Sequence, residues 1–150
     1  MSSSEHVQGH VYQRYAWLIL FVLAALTCLL AVYRIFAGPD EAEFESSSEV
    51  VWGELTTAVP GVADYVSRLI RLLGAGYLGF GLLAASVVWV GFKRGERWSW
   101  YALWTMPITF GATSIVFFVF EANELGLYYG AGVLLAVLGL VLPIRMFFPK

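Results

Sequence analysis

The chain has 150 residues, of which 59% are apolar and 13% charged, about half the charged fraction of a soluble domain. One domain is expected at this length, yet a water-soluble core cannot absorb so much apolar sequence, whereas a bilayer-spanning helix needs roughly 20 consecutive apolar residues. A formal charge of −2 with no long basic run does not suggest a nucleic-acid partner, and a single cysteine, Cys28, excludes an internal disulfide or a CxxC redox pair.

Residues 1–13 are polar and Ser-rich and read as a frayed tail. His6 and His10 stand four apart, which would put them on one side of a helix, but two ligands without a third do not make a metal site. No metal or other cofactor is expected.

The first apolar run, residues 16–36, exceeds the ~7 to 15 residues of a signal-peptide core and reads as a retained span. Ala24, Cys28 and Ala31 place small residues on one stripe, suited to close helix contact. Arg34 lies near the far end, where it can snorkel outward, and Gly38 with Pro39 stops the helix.

Residues 40–66 form a long acidic connection holding Asp40, Glu41, Glu43, Glu45, Glu49, Glu54 and Asp64, with no intervening cation. So long a connection should carry structure of its own. Ser46 and Glu49 have capping-box spacing, and Val51, Leu55, Ala58 and Val59 follow at helical period. These signals predict a short interfacial helix over residues 48–59, ended by Pro60 and Gly61.

The second span is predicted over residues 66–90. At its start Asp64, Arg68 and Arg71 share one face, where an ion pair can form. The group reads as interfacial anchoring or, more sharply, as a site where two guanidinium groups receive an anionic headgroup. Below it Gly74, Gly76, Gly79 and Gly81 predict backbone-to-backbone packing, with a pocket left by the missing side chains as the alternative. No strand precedes these glycines, so they are not a dinucleotide fingerprint.

Residues 92–104, FKRGERWSWYALW, combine a basic turn with a run of aromatics. Lys93, Arg94 and Arg97 resist translocation, while Trp98, Trp100 and Trp104 are amphipathic rings that favour the headgroup layer. The third span, residues 98–120, carries Thr105, Thr109 and Thr113 on one stripe. Pro107 frees the carbonyl of Leu103 and predicts a kink at that level. The threonine hydroxyls can bond their own backbone, or line a polar path.

Glu121 and Glu124 flank a very short outer turn. The last span, residues 125–148, contains Gly126-x-x-x-Gly130 and then Gly132, Ala136 and Gly139, again a face for tight contact.

The hinge string from Arg94 to Trp104, followed by Pro107 and preceded by a glycine-rich span, resembles small prokaryotic four-span membrane proteins of unassigned function, the DUF4345-like and DoxX-like groups. The likeness covers about residues 74–120. It implies a topology and lends no active-site residues.

The expected fold is therefore an all-α integral membrane four-helix bundle with a short interfacial helix in the first outer loop. Six of the nine cations fall on the side shared by the termini and the hinge, and nine of the eleven acids on the other. The positive-inside rule then puts both termini in the cytoplasm, in a plasma membrane. The spans hold no histidine, no paired acids and no G-x-S-x-G, and their hydroxyls lack a base to activate them, which argues against an enzyme. The leading expectation is a noncatalytic protein binding a lipid-like ligand or a partner membrane protein. The ligand-site candidates are Arg68, Arg71, Asp64, Glu121 and Thr109. The alternative is a small channel or transporter subunit, formed as a homo-oligomer.

Overall fold

The structure, a computed structural model, describes residues 3–48, 50–119 and 123–148. The described chain is all-α: α1 (Ser3–Ala37), α2 (Glu41–Ser48), α3 (Trp52–Ala58), α4 (Pro60–Val90), a 3-10 turn (Phe92–Arg94), α5 (Arg97–Leu103), α6 (Thr105–Val119), α7 (Asn123–Val141) and α8 (Ile144–Phe147). Four stretches are long and apolar enough to cross a membrane: Tyr15–Ala37, Pro60–Arg94, Arg97–Val119 and Glu124–Val141. They form a four-helix bundle in which α1 packs mainly on α4, α6 mainly on α7, and α1 touches α7.

Several boundaries differ from the sequence expectation for local reasons. Helix α1 begins at Ser3, so the expected frayed tail is helical; it contains no proline to break the ladder. Its end is as expected: Gly38 adopts φ +77° and its N–H bonds the Arg34 carbonyl at 3.2 Å.

The acidic loop holds two short helices, not one over residues 48–59. Ser48 ends α2, its Oγ donating to the Phe44 carbonyl at 2.7 Å, and Val51 precedes α3 without a side-chain cap. Glu45 supplies the capping interaction from α2, its Oε1 accepting the Trp52 N–H at 3.3 Å, while the Phe44 and Trp52 rings meet edge-on at 4.8 Å. Pro60 does not merely stop α3; it opens α4, where its missing N–H costs nothing.

The third span breaks at Trp104, between α5 and α6, and Pro107 falls in the first turn of α6. The interruption falls at the level where the kink is expected, and Thr105 Oγ1 donates to the Ala102 carbonyl at 2.8 Å beside it. The fourth span ends at Val141, short of residue 148, because Pro143 cannot continue the ladder; α8 starts directly after it.

The hinge knits the bundle's end together. Gly95 adopts φ +76°, and the Glu96 N–H bonds the Gly91 carbonyl at 3.1 Å, closing the turn. Lys93 Nζ lies 4.1 Å from the Trp89 ring and 4.8 Å from the Trp17 ring, joining α4 to α1 by cation–π contact. Arg97 Nε donates to the Phe147 carbonyl at 3.0 Å. Arg94 and Arg145 are exposed.

The three tryptophans differ more than a common headgroup role predicts. Trp98 is half exposed, with its indole N–H on Glu96. Trp100 donates to the Leu140 carbonyl at 3.0 Å, satisfying a group that the end of α7 leaves open. Trp104 is half-buried, and its Nε1 has no partner among the described residues. Trp100→Phe keeps the ring and strands the Leu140 carbonyl, so it should cost about 1–3 kcal/mol in denaturant unfolding from mixed micelles. An unchanged midpoint would show that this bond carries no stability.

The core sits toward the hinge. Leu20 and Ala24 of α1, Ala84 and Val88 of α4, Leu103, Met106, Phe110, Ala136 and Leu140 form one buried cluster with Phe92 and Phe147. Close approach between α1 and α4 depends on Gly74 and Gly81. A Cβ at Gly81 would stand 2.6 Å from Cys28 Sγ and 3.2 Å from the Ala24 carbonyl oxygen; one at Gly74 would stand 3.1 Å from the Ala31 carbonyl oxygen. Gly79, read with them as a packing residue, faces outward together with Gly76, with nothing within 4 Å of where a Cβ would stand.

Candidate functional site

Toward the acidic loop the two helix pairs diverge. Near the hinge α1 and α7 touch closely, since a Cβ at Gly139 would lie 2.8 Å from Leu20 Cγ. Further along, toward the acidic loop, the gap between them opens into a cavity of about 340 Å³. Along α1 it is lined by Leu23, Thr27, Leu30, Ala31 and Arg34. Tyr77 contributes from α4 and Phe110 from α6. Helix α7 supplies Leu125, Tyr128, Tyr129 and Gly132.

Each helix faces the cavity for a local reason. The α1 residues recur at four, three, one and three positions, a single stripe at helical period. Gly132 keeps the α7 wall thin, with a would-be Cβ only 3.3 Å from Phe110 Cδ2. Behind Tyr129, the ring of Phe117 stacks at 5.4 Å and 13°. Leu30 and Tyr128 are 63% and 75% exposed, so the cavity is open sideways between α1 and α7.

The polar groups are few and mostly committed. Thr27 Oγ1 donates to the Leu23 carbonyl at 2.9 Å. Thr113, next to the cavity wall, donates to the Thr109 carbonyl at 2.9 Å. Its one hydrogen is thus used, so at the 3.1 Å contact between Tyr77 Oη and Thr113 Oγ1 the tyrosine is the donor. This bond ties α4 to α6. Arg34 is half-buried and, among the described residues, is the one charged side chain in the lining.

The site candidates from the sequence are not gathered here. Arg68, Arg71 and Asp64 are exposed, and none makes an ion pair among the described residues. Counting about 20 residues back from Val90 reaches Ile70 and Arg71, so Asp64 and Arg68 stand beyond a hydrocarbon core's depth. Arg71 lies over the end of α1, with Nη2 3.5 Å from where a Cβ on Gly38 would stand. Thr109 is half-buried outside the lining. Glu121 and the side chains of His6 and His10 lie outside the described residues. Gly126 and Gly130 do face α6: a Cβ at Gly126 would stand 3.1 Å from the Phe118 ring, and Ser114 Oγ donates to the Gly126 carbonyl at 2.7 Å.

The residue that sequence reasoning undervalues is Arg34, whose place at the end of the first span suggests no more than a snorkelling side chain. An ionisable group at the edge of an apolar run was the available signal. The consecutive aromatics Tyr128 and Tyr129 before Gly130 and Gly132 were a second. Among the described residues no cluster of three or more His, Cys, Asp or Glu is placed to hold a metal ion. No protein-family model, curated protein or solved structure matches the chain.

Proposed function

We propose that this is a noncatalytic multi-pass membrane protein that holds a lipid-like ligand in the cavity between α1 and α7. The observation that carries the reading is the side opening. An apolar chamber whose mouth lies on a flank of the bundle exchanges its contents with bilayer lipid more readily than with water. Its size lies at the lower end of the roughly 300–1,000 Å³ typical of ligand pockets. The lining of one guanidinium, hydroxyls and apolar groups suits an amphiphile.

The channel reading finds less support. Of the three stripe hydroxyls, those of Thr105 and Thr113 are spent on backbone carbonyls, which leaves little of a continuous polar path.

Filling the chamber tests the proposal. Thr27→Trp should lower the lipid that copurifies with the protein by about tenfold or more in native mass spectrometry, while Thr27→Val should leave it unchanged. Equal retention in all three proteins would contradict the reading.

We infer further that both termini are cytoplasmic in a plasma membrane and that the acidic α2–α3 segment faces out, on the strength of the cation count. Glu54→Cys in a Cys28→Ala background should then react with an impermeant maleimide in intact cells. Reaction only after permeabilisation would reverse the orientation.

A further inference from the structure

The cavity has a polarity along its length, and that polarity narrows the ligand. At one end stands Leu23, level with the packed core, and the α1 stripe then runs past Thr27 and Leu30 to Arg34 in the last turn of the helix. The distance along the axis from Leu23 to Arg34 is about 16 Å. The chamber is therefore elongated along α1, apolar at its deep end and bordered by the Arg34 guanidinium at its outer end.

Charge selects the head. Among the described residues of the lining, Arg34 supplies the one charged group, and a guanidinium favours an anionic head over a neutral one. A guanidinium carries five N–H donors in a planar fork, enough to keep other contacts and still take a carboxylate or phosphate by two parallel bonds. Arg34 stands where the helix leaves the apolar run, at the depth an amphiphile's head occupies when its chain lies parallel to the spans. Size selects the tail. About 340 Å³ sits at the bottom of the ligand-pocket range, which favours one hydrocarbon chain over two. Access is consistent with this, because the flank between Leu30 and Tyr128 admits a chain sideways while the head stays at the interface.

We propose that the ligand is a single-chain anionic amphiphile, its carboxylate or phosphate held by Arg34 and its chain running down α1 toward Leu23. This rests on the lipid-binding reading given above. It adds the sign of the head and the number of chains.

The test is competition on delipidated protein in a non-ionic detergent, read by native mass spectrometry. The probes are a sixteen-carbon fatty acid, a lysophosphatidic acid, the sixteen-carbon alcohol and a two-chain phosphatidylglycerol. Wild type should hold at least one of the two single-chain anions, one per chain, about tenfold or more over the alcohol and over the two-chain lipid. Preference for the carboxylate assigns a fatty acid, and preference for the phosphate a lysophospholipid. Arg34→Gln should erase the preference over the alcohol, and Arg34→Lys should keep part of it, which separates loss of charge from loss of fold.

If the alcohol or the two-chain lipid binds wild type as well as both anions, the inference is wrong. It is also wrong if Arg34→Gln leaves the preference intact. In either case Thr27→Trp decides the reading beneath it. Loss of all four probes in that variant keeps lipid binding in the cavity, and retention of all four removes both.

Discussion

Gly81→Leu should destabilise the bundle by about 3 kcal/mol, at the upper end of what overpacking a well-filled interface costs. The first carbon of any side chain at this position meets Cys28 Sγ at 2.6 Å, and the Ala24 carbonyl and Cys28 amide at 3.2 Å. The thiol can rotate aside, but the two backbone atoms belong to α1 and move only if the helices separate. A leucine therefore forces α1 off α4, which is the most extensive helix contact in the fold. Gly79→Leu, two positions away on the same helix, should do the opposite. Nothing lies within 4 Å, so the substitution removes a glycine from a helix interior and gains up to about 1 kcal/mol of helix propensity. Unfolding in mixed micelles reads both. Equal effects at the two positions would mean that α4 does not present Gly81 to α1.

Gly139→Leu should also cost about 1–3 kcal/mol, and for a different contact. Here a Cβ would fall 2.8 Å from Cγ and 2.9 Å from Cδ2 of Leu20, a side chain with 0% exposure and no room to withdraw. Even Gly139→Ala should lose stability, although alanine is the better helix former. The contact matters for the site because it closes the gap between α1 and α7 at the hinge end, below the cavity. A stabilising Gly139→Ala would show that the helices are not in contact at this level.

The comparison of Gly79 with Gly81 also shows where sequence reasoning stops. The four spans, the αL stop at Gly38 and the break ahead of Pro107 were legible because each is a local matter of hydropathy, φ or a missing N–H. Which glycines face a neighbour was not. In a soluble helix the polar face marks the outside, but lipid-facing and buried side chains in a bilayer are equally apolar, so the pattern carries no orientation. Small residues then occur on two faces of α4, and among its glycines only Gly74 and Gly81 meet α1 closely. Pro143 was readable as the end of the fourth span by the same rule that places the break before Pro107.

The site was less legible than the fold, for a related reason. The cavity comes from two helix pairs that touch at Leu20 and Gly139 and part beyond them, a long-range property with no local signature. Arg68 and Arg71 drew notice as a pair at helical spacing, yet α4 is long enough to carry Arg68 past the apolar depth, and Arg71 leans over Gly38. Among the described residues, Arg34 is the cation that reaches the chamber. The hinge, the most distinctive string in the chain, ties helices together through Lys93, Arg97 and Trp100 at the end away from the cavity.

The most direct measurement is an experimental map of the protein in lipid nanodiscs, at a resolution that shows side chains. It should contain elongated density between α1 and α7, one end within hydrogen-bonding distance of the Arg34 guanidinium and the other near Leu23. A chamber that holds only water, or is closed by contact of α1 with α7 along its whole length, would contradict ligand binding at this place.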